Sequence, residues 1–250
     1  MPEPESIVVG RQPVLEALRS GTAVEKIVIQ RGAHGAPIEA IRSLANQLGI
    51  PLTEASKDRL EELAGQTLAQ GVLAYLAHAK DFDIDDIIRA ATERNEPPLI
   101  LILDEIEDPH NVGALLRTAE CAGAHGAILL KHHSPPLGSA VAKASAGASL
   151  HLPLARVANL AQAIDRLKES GLWVIGTDAS APATIYEHDL SGPVALVVGN
   201  EGRGMRRLVK EKCDVLLKIP LYGRIQSLNA SVAGALVMFE AARARRQLQR

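Results

Sequence analysis

The run "LILILD", residues 99–104, constrains the fold more than any other stretch of this chain. Five apolar residues stand in a row, with no polar break. A half-buried strand would alternate apolar with polar residues. A continuous run marks a strand covered on both faces, which is the signature of a parallel sheet with helices on either side. Similar runs recur as "GAILL", "LWVIGTD", "PVALVVG" and "DVLLKIP". Helical patterns separate them. In "DPHNVGALLRTAECAG", Asp108 suits the N-cap and Pro109 the first helical position, while Val112, Leu115, Leu116 and Ala119 keep the spacing of a core-facing helix. "NLAQAIDRLKESG" stops at Gly171, and "LNASVAGALVMFEAARARRQ" forms a long terminal helix with Val232, Ala235, Leu236 and Phe239 on one face. Strand and helix also alternate in a smaller unit upstream, from "SIVVG" to "GVLAYLA". The expected class is α/β with two domains, residues 1–78 and 98–250. The polar, acidic stretch 79–97 reads as their connection.

Composition narrows the function. The chain has 250 residues, 47% hydrophobic and 22% charged, and no apolar run reaches the roughly 18–20 residues that span a bilayer. "MPEPESIVVG" is acidic and proline-rich, unlike a secretory signal. A cytoplasmic protein without membrane contact is expected, with Cys121 and Cys213 as reduced core thiols. The net charge of −2 lacks the basic excess usual in nucleic-acid binders. Local patches exist nonetheless: Lys131-His132-His133, then Arg203, Arg206, Arg207, Lys210 and Lys212, then Arg243, Arg245 and Arg246. Aromatic residues make up 2%, too few for a binder built from stacking platforms.

Three segments begin where strands end, the place where open α/β sheets bind ligands. In the first, Gly113 and Arg117 lie four apart on one helix face, with Asn111 at the helix start. Arg117 is either functional or a solvated surface residue, and Asn111 either a ligand contact or a cap. In the second, "LVVGNEGRGMRR", Gly199, Gly202 and Gly204 surround Glu201. The phosphate-binding patterns G-x-x-x-x-G-K-[ST] and G-x-G-x-x-G are both absent. A glycine loop carrying a glutamate suits a neutral or cationic ligand, or an arginine, better than an anion; a tight turn is the plain alternative. In the third, "IPLYGRIQSLNAS", Ser227, Asn229 and Ser231 exceed the needs of one cap, and Ala230, Ala233 and Gly234 permit close packing, including against a second subunit. "KHHS" fits a basic loop beside nucleic acid better than a metal site. "DEIED" reads as a solvated loop rather than a magnesium site. The esterase pattern G-x-S-x-G is missing.

Together these segments closely resemble the three motifs of the SpoU/TrmH family, the RNA ribose 2′-O-methyltransferases that use S-adenosyl-L-methionine. The resemblance covers about residues 98–245. "VVGRQPVLEAL" and "AQGVLAYL" are similar to the start and end of the family's L30e-like substrate-binding domain. The resemblance implies a trefoil-knotted SPOUT α/β domain, a homodimer with the active site near the subunit interface, and no metal. It assigns Gly199, Ile219 and Leu228 to the cofactor, and Asn111, Arg117, Glu201, Ser227 and Asn229 to catalysis. It implies RNA as partner, with a guanosine ribose of 23S rRNA as target. The alternatives are a tRNA ribose, or a non-catalytic RNA-binding assembly factor, against which the intact motif residues argue. A nucleotide-dependent metabolic enzyme would show fingerprints that are missing. A guanidinium titrates above about 12, so Arg117 is expected to grip a phosphate and stabilise the developing alkoxide rather than serve as a simple base. Tyr222 and Arg224 stand in the variable part of the third motif, where they could meet RNA. Arg203, Arg206 and Arg207 could face RNA too, although a solvated helix suits the last two equally well.

Overall fold

The structure, a computed structural model, describes residues 7–19, 21, 24–64, 70–76, 82–225 and 227–248. The proline-rich N-terminus, the boundary at residue 78 and Gln226 of the third motif lie outside the described residues.

The N-terminal unit runs β1 (Ile7–Val9), α1 (Arg11–Arg19), β2 (Val24–Gln30), α2 (Ala36–Gln47), β3 (Leu52–Ala55), α3 (Lys57–Ala64) and β4 (Val72–Leu76). Its four strands lie in the order β1-β4-β2-β3. Only β2 and β3 are parallel, so the sheet is mixed. α1 and α2 cover one face, burying Val14, Leu15, Ile38 and Ile41 against Ile27 and Ile29. α3 covers the other, placing Leu60 on Val28 and Leu73.

Next come α4 (Ile84–Glu93), β5 (Leu99–Asp104), α5 (Pro109–Cys121), β6 (Gly126–Leu130), α6 (Ser139–Ala144), β7 (Leu154–Val157), α7 (Leu160–Glu169), β8 (Trp173–Thr177), β9 (Ala183–Thr184), β10 (Val194–Gly199), α8 (Arg207–Lys212), β11 (Val215–Lys218) and α9 (Ala230–Leu248). Seven strands form one sheet, β7-β6-β5-β10-β8-β11-β9, and every pair in it is parallel. The run "LILILD" sits near its middle and explains itself. Leu99, Leu101 and Leu103 enter one core with Leu115 and Val237. Ile100 and Ile102 enter the other with Ile87, Leu160 and Val209. β9 escapes a reading by pattern because two residues carry no periodicity.

The connecting stretch carries a helix, α4. Asp83 and Asp86 form a capping box at the start of α4, a device that supplies orphan N–H groups with partners. Ile84 and Ile87 are then buried on the large sheet, and the Phe82 N–H donates to the Leu154 carbonyl at 3.0 Å. In α9, Val232, Ala235, Leu236 and Phe239 share one face as expected, and that face is turned away from the sheet. Val237, Met238 and Ala241 are buried, while Val232, Leu236 and Phe239 are 46%, 40% and 52% exposed. The helix is apolar nearly all round, so periodicity alone could not choose its inner face. Gly234 decides it, because a Cβ there would collide with the Leu115 side chain. One expectation needs correction: Cys121 is exposed rather than a core thiol. Cys213 is partly buried, and burial, aided by Asp214, pushes its thiol up to about 12.

At the amino ends of the central strands, a polar knot of side chains joins distant segments. The fully buried His125 ring accepts the Leu99 N–H on Nδ1 at 3.0 Å. Its Nε2 lies 3.1 Å from Glu96 and so carries the proton. Arg245 on α9 donates to the carbonyls of Pro97, Pro98 and Gly192, while burial lowers its guanidinium to about 10. Burial also holds His125 below its ordinary value, against the pull of Glu96. The folded chain therefore binds this proton less readily than the unfolded chain. The resulting stability is complete above the unfolded histidine value of about 6.5 and is lost as pH falls through the folded value. The melting temperature should drop more steeply below about pH 6.5 in the native chain than in His125→Gln, followed by circular dichroism.

Candidate active site

Because the large sheet is parallel, the carboxyl ends of β5, β8, β10 and β11 open on one side. The loop after β10 is a miniature hairpin. The Asn200 N–H donates to the Gly204 carbonyl at 3.1 Å, and the Gly204 N–H returns the bond at 2.8 Å. Asn200 Oδ1 accepts from the N–H groups of Gly202 and Arg203, and its Nδ2 donates to the Glu105 carbonyl at 3.0 Å. Glu105 adopts φ 54° to present that carbonyl, an unfavourable conformation for a residue with a Cβ. Gly204 has φ 68°, and Gly199 is needed for proximity: a Cβ there would lie 2.7 Å from the Gly204 carbonyl oxygen.

An ion pair to a buried carboxylate fixes the far end of the loop. Asp104, with no exposed surface, accepts from the Arg206 backbone N–H and from its Nε, both at 2.7 Å. Asp104 is thus no part of a solvated acidic loop, and Arg206, its side chain 39% exposed, is tied to it. Burial of the Asp104 carboxylate is tolerated because it accepts two bonds from this arginine. Arg203 stays exposed, 3.8 Å from Glu105 and 4.0 Å from Glu107.

The three segments singled out in the sequence converge on Glu201. Its Oε1 accepts from Asn111 Nδ2 at 2.9 Å, from the Ala230 N–H at 3.2 Å, and from Asn229 Nδ2. Asn229 Nδ2 also donates to Asn111 Oδ1 at 3.0 Å. Asn229 Oδ1 meanwhile accepts from the N–H groups of Ser231 and Val232, so one residue both caps α9 and joins the cluster. The glutamate in the glycine loop is therefore a fastener, its charge shared among donors from α5 and α9.

Beside this cluster opens a cavity of about 350 Å³, lined by Gly199, Glu201, Arg203, Ile219, Ser227 and Leu228, among others. All three positions assigned to a cofactor, Gly199, Ile219 and Leu228, are in its wall. Val198, Leu221 and Ala230 add apolar surface. Sequence reasoning missed Thr177 and Asp178 at the end of β8, which also line it; their signal was the strand-terminal "GTD". Burial works against the charge of Asp178, but bonds from Lys210 and Ser180 outweigh it and hold the carboxyl below its ordinary value. With two carboxylates against one guanidinium, that of Arg203, and with apolar walls and close backbone, the cavity suits a neutral or cationic ligand better than a phosphate.

Gly113 and Arg117 of the first segment stand apart from the Glu201 cluster. The space beside Gly113 is filled by α6, since a Cβ would meet the Ser145 N at 2.9 Å; the glycine serves helix packing. Arg117 is exposed, and among the described residues no hydrogen bond or ion pair ties it to the Glu201 cluster. It shares a face of α5 with Ala114 and Cys121, three and four residues away. Ala114 and Thr118 form a groove with Val232, Ala235, Leu236 and Phe239 of α9. Among the described residues no group of three or more His, Cys, Asp or Glu could hold a metal ion, and no helix is long and apolar enough to cross a membrane.

Fold and site define a two-domain α/β protein with a lined cavity beyond the carboxyl ends of a parallel sheet. Residues 98–239 match the SpoU rRNA Methylase family, and residues 7–82 match the RNA 2′-O ribose methyltransferase substrate-binding family. YacO of Bacillus subtilis, assigned to the TrmH family tRNA/rRNA methyltransferases, is 44% identical over 246 residues, 98% of each chain. Among solved structures, the SpoU methyltransferase AviRb from Streptomyces viridochromogenes, in complex with AdoMet, has the same fold with a TM-score of 0.68 at 24% identity, covering 96% of this chain and 90% of that one. An RNA 2′-O ribose methyltransferase follows with a TM-score of 0.61 at 26% identity, over 96% and 88%. This chain belongs to the SpoU/TrmH family of RNA 2′-O-ribose methyltransferases.

Proposed function

We propose that this protein is a homodimeric, cytoplasmic enzyme that methylates the ribose 2′-hydroxyl of a guanosine in 23S rRNA. The observation that carries the reading is the meeting of all three motif segments at Glu201, on the rim of a cavity whose walls suit S-adenosylmethionine. That cofactor supplies the methyl group and a cationic sulfonium. Gly199, Ile219 and Leu228 hold it largely through backbone and apolar surface, and the side chains of Asp178 and Glu201 favour its positive charge. Ser227, exposed at the mouth, and the Asn111–Asn229 pair orient the ribose. The threading of the chain is that of the family's trefoil knot.

Arg117 completes the site from the neighbouring subunit. It stands on the same face of α5 as the apolar groove, which has a volume of about 440 Å³. The exposed stripe Val232, Leu236 and Phe239 is the surface that a second copy covers. Pairing two such faces carries Arg117 of one subunit toward the cavity of the other, where it binds the phosphate next to the target and stabilises the negative charge growing on the 2′-oxygen.

Methyl transfer from labelled S-adenosylmethionine to unmodified 23S rRNA and to bulk tRNA, side by side, tests the reading. Label in one rRNA ribose, mapped by resistance to alkaline cleavage, is the expected result. Label in tRNA alone would keep the reaction and overturn the substrate. An absence of label together with an absence of cofactor binding would leave a non-catalytic RNA binder.

A further inference from the structure

The chain uses few aromatic residues, 2% in all, yet leaves one of them almost bare. Tyr222 is 93% exposed, Ile225 is 78% exposed, and Leu221 beside them is 37% exposed. These residues form the loop between β11 and α9. Leu221 belongs to the cavity wall, so Tyr222 stands one residue outside the mouth. Arg224 lies between the two bare side chains, itself exposed, and among the described residues no ion pair holds it. The groove assigned to a second copy is lined by α5 and α9 and includes no residue of this loop. A bare ring, a bare aliphatic side chain and an uncommitted guanidinium at the edge of the cavity form a stacking surface beside a phosphate grip.

We propose that Tyr222 stacks on an unpaired nucleobase next to the target ribose, with Ile225 flanking it and Arg224 on the backbone phosphate. The substrate is then a loop, bulge or single-stranded segment rather than a regular duplex. In an A-form helix the bases are stacked on each other, whereas splayed bases of single-stranded RNA are read by stacking on aromatic side chains. The proposal rests on the reading of the chain as an RNA methyltransferase.

The test uses the full-length protein. Tyr222→Ala should raise KM for the methylated RNA by about tenfold or more, with kcat, S-adenosylmethionine affinity and dimer mass unchanged. Tyr222→Phe should stay near the native value, because the ring face and not the hydroxyl makes the contact. An unchanged KM in Tyr222→Ala, an equal loss in Tyr222→Phe, or dissociation of the dimer in sedimentation would overturn the proposal. A binding readout separates it from the proposed function. In a Trp173→Phe background, Tyr222→Trp places the sole tryptophan on the loop. Its emission should be quenched by transcribed 23S rRNA or bulk tRNA and not by a perfect RNA duplex. If the native enzyme methylates neither RNA, the functional reading fails while this titration still decides the stacking. If methylation proceeds without quenching, the stacking fails and the function stands.

Discussion

Replacing Gly199 by alanine is expected to lower S-adenosylmethionine affinity by about 10- to 100-fold while leaving the protein folded. The added methyl would sit 2.5 Å from the Gly204 carbonyl carbon and 2.7 Å from its oxygen. Those are backbone atoms of the same hairpin, so no side chain can rotate away. The hairpin has to open, and with it go the mutual bonds of Asn200 and Gly204 and the placement of Glu201. Val198, one residue earlier, is deep in the core, so the strand itself should survive. Isothermal titration with the cofactor and a melting curve on the same sample distinguish the outcomes. Native affinity in a folded Gly199→Ala protein would show that the hairpin is no part of the cofactor site.

Arg117→Lys is expected to reduce kcat by about 10²- to 10³-fold with cofactor affinity unchanged. Lysine keeps the charge but loses the planar fork that binds a phosphate through two bonds. Near-native turnover would sink the clamp. A mixing experiment tests where the residue acts. With cofactor held well below the Kd of the Gly199→Ala protein, Arg117→Ala and Gly199→Ala homodimers should each be nearly inactive. Heterodimers combine an intact cofactor loop from the first chain with an intact Arg117 from the second. Activity should return on subunit exchange if Arg117 serves its partner's cavity, and stay absent if it serves its own.

The large domain was legible in the sequence because its signals are local and redundant. A strand buried on both faces reads as "LILILD" whatever surrounds it, and Asp108 and Pro109 mark the start of α5 on their own. The gathering of Asn111, Glu201 and Asn229 was accessible only through the family resemblance, since spacing says nothing of contacts across 90 or 118 positions. What stayed hidden depends on shape. The inner face of α9 is chosen by one glycine against Leu115. The role of Asp104 depends on Arg206, 102 residues away. The acidic pattern around Asp104 resembles any solvated loop until its burial is known.

The cluster at Glu201 also sets an order in time. Its three contributors are separated by most of the large domain, and the last, Asn229, opens the final helix. A chain emerging from the ribosome can complete its first domain and pair several strands, yet has no finished active site until α9 docks. Non-local contacts of this kind form slowly. Chains that stop before α9 should therefore be catalytically silent.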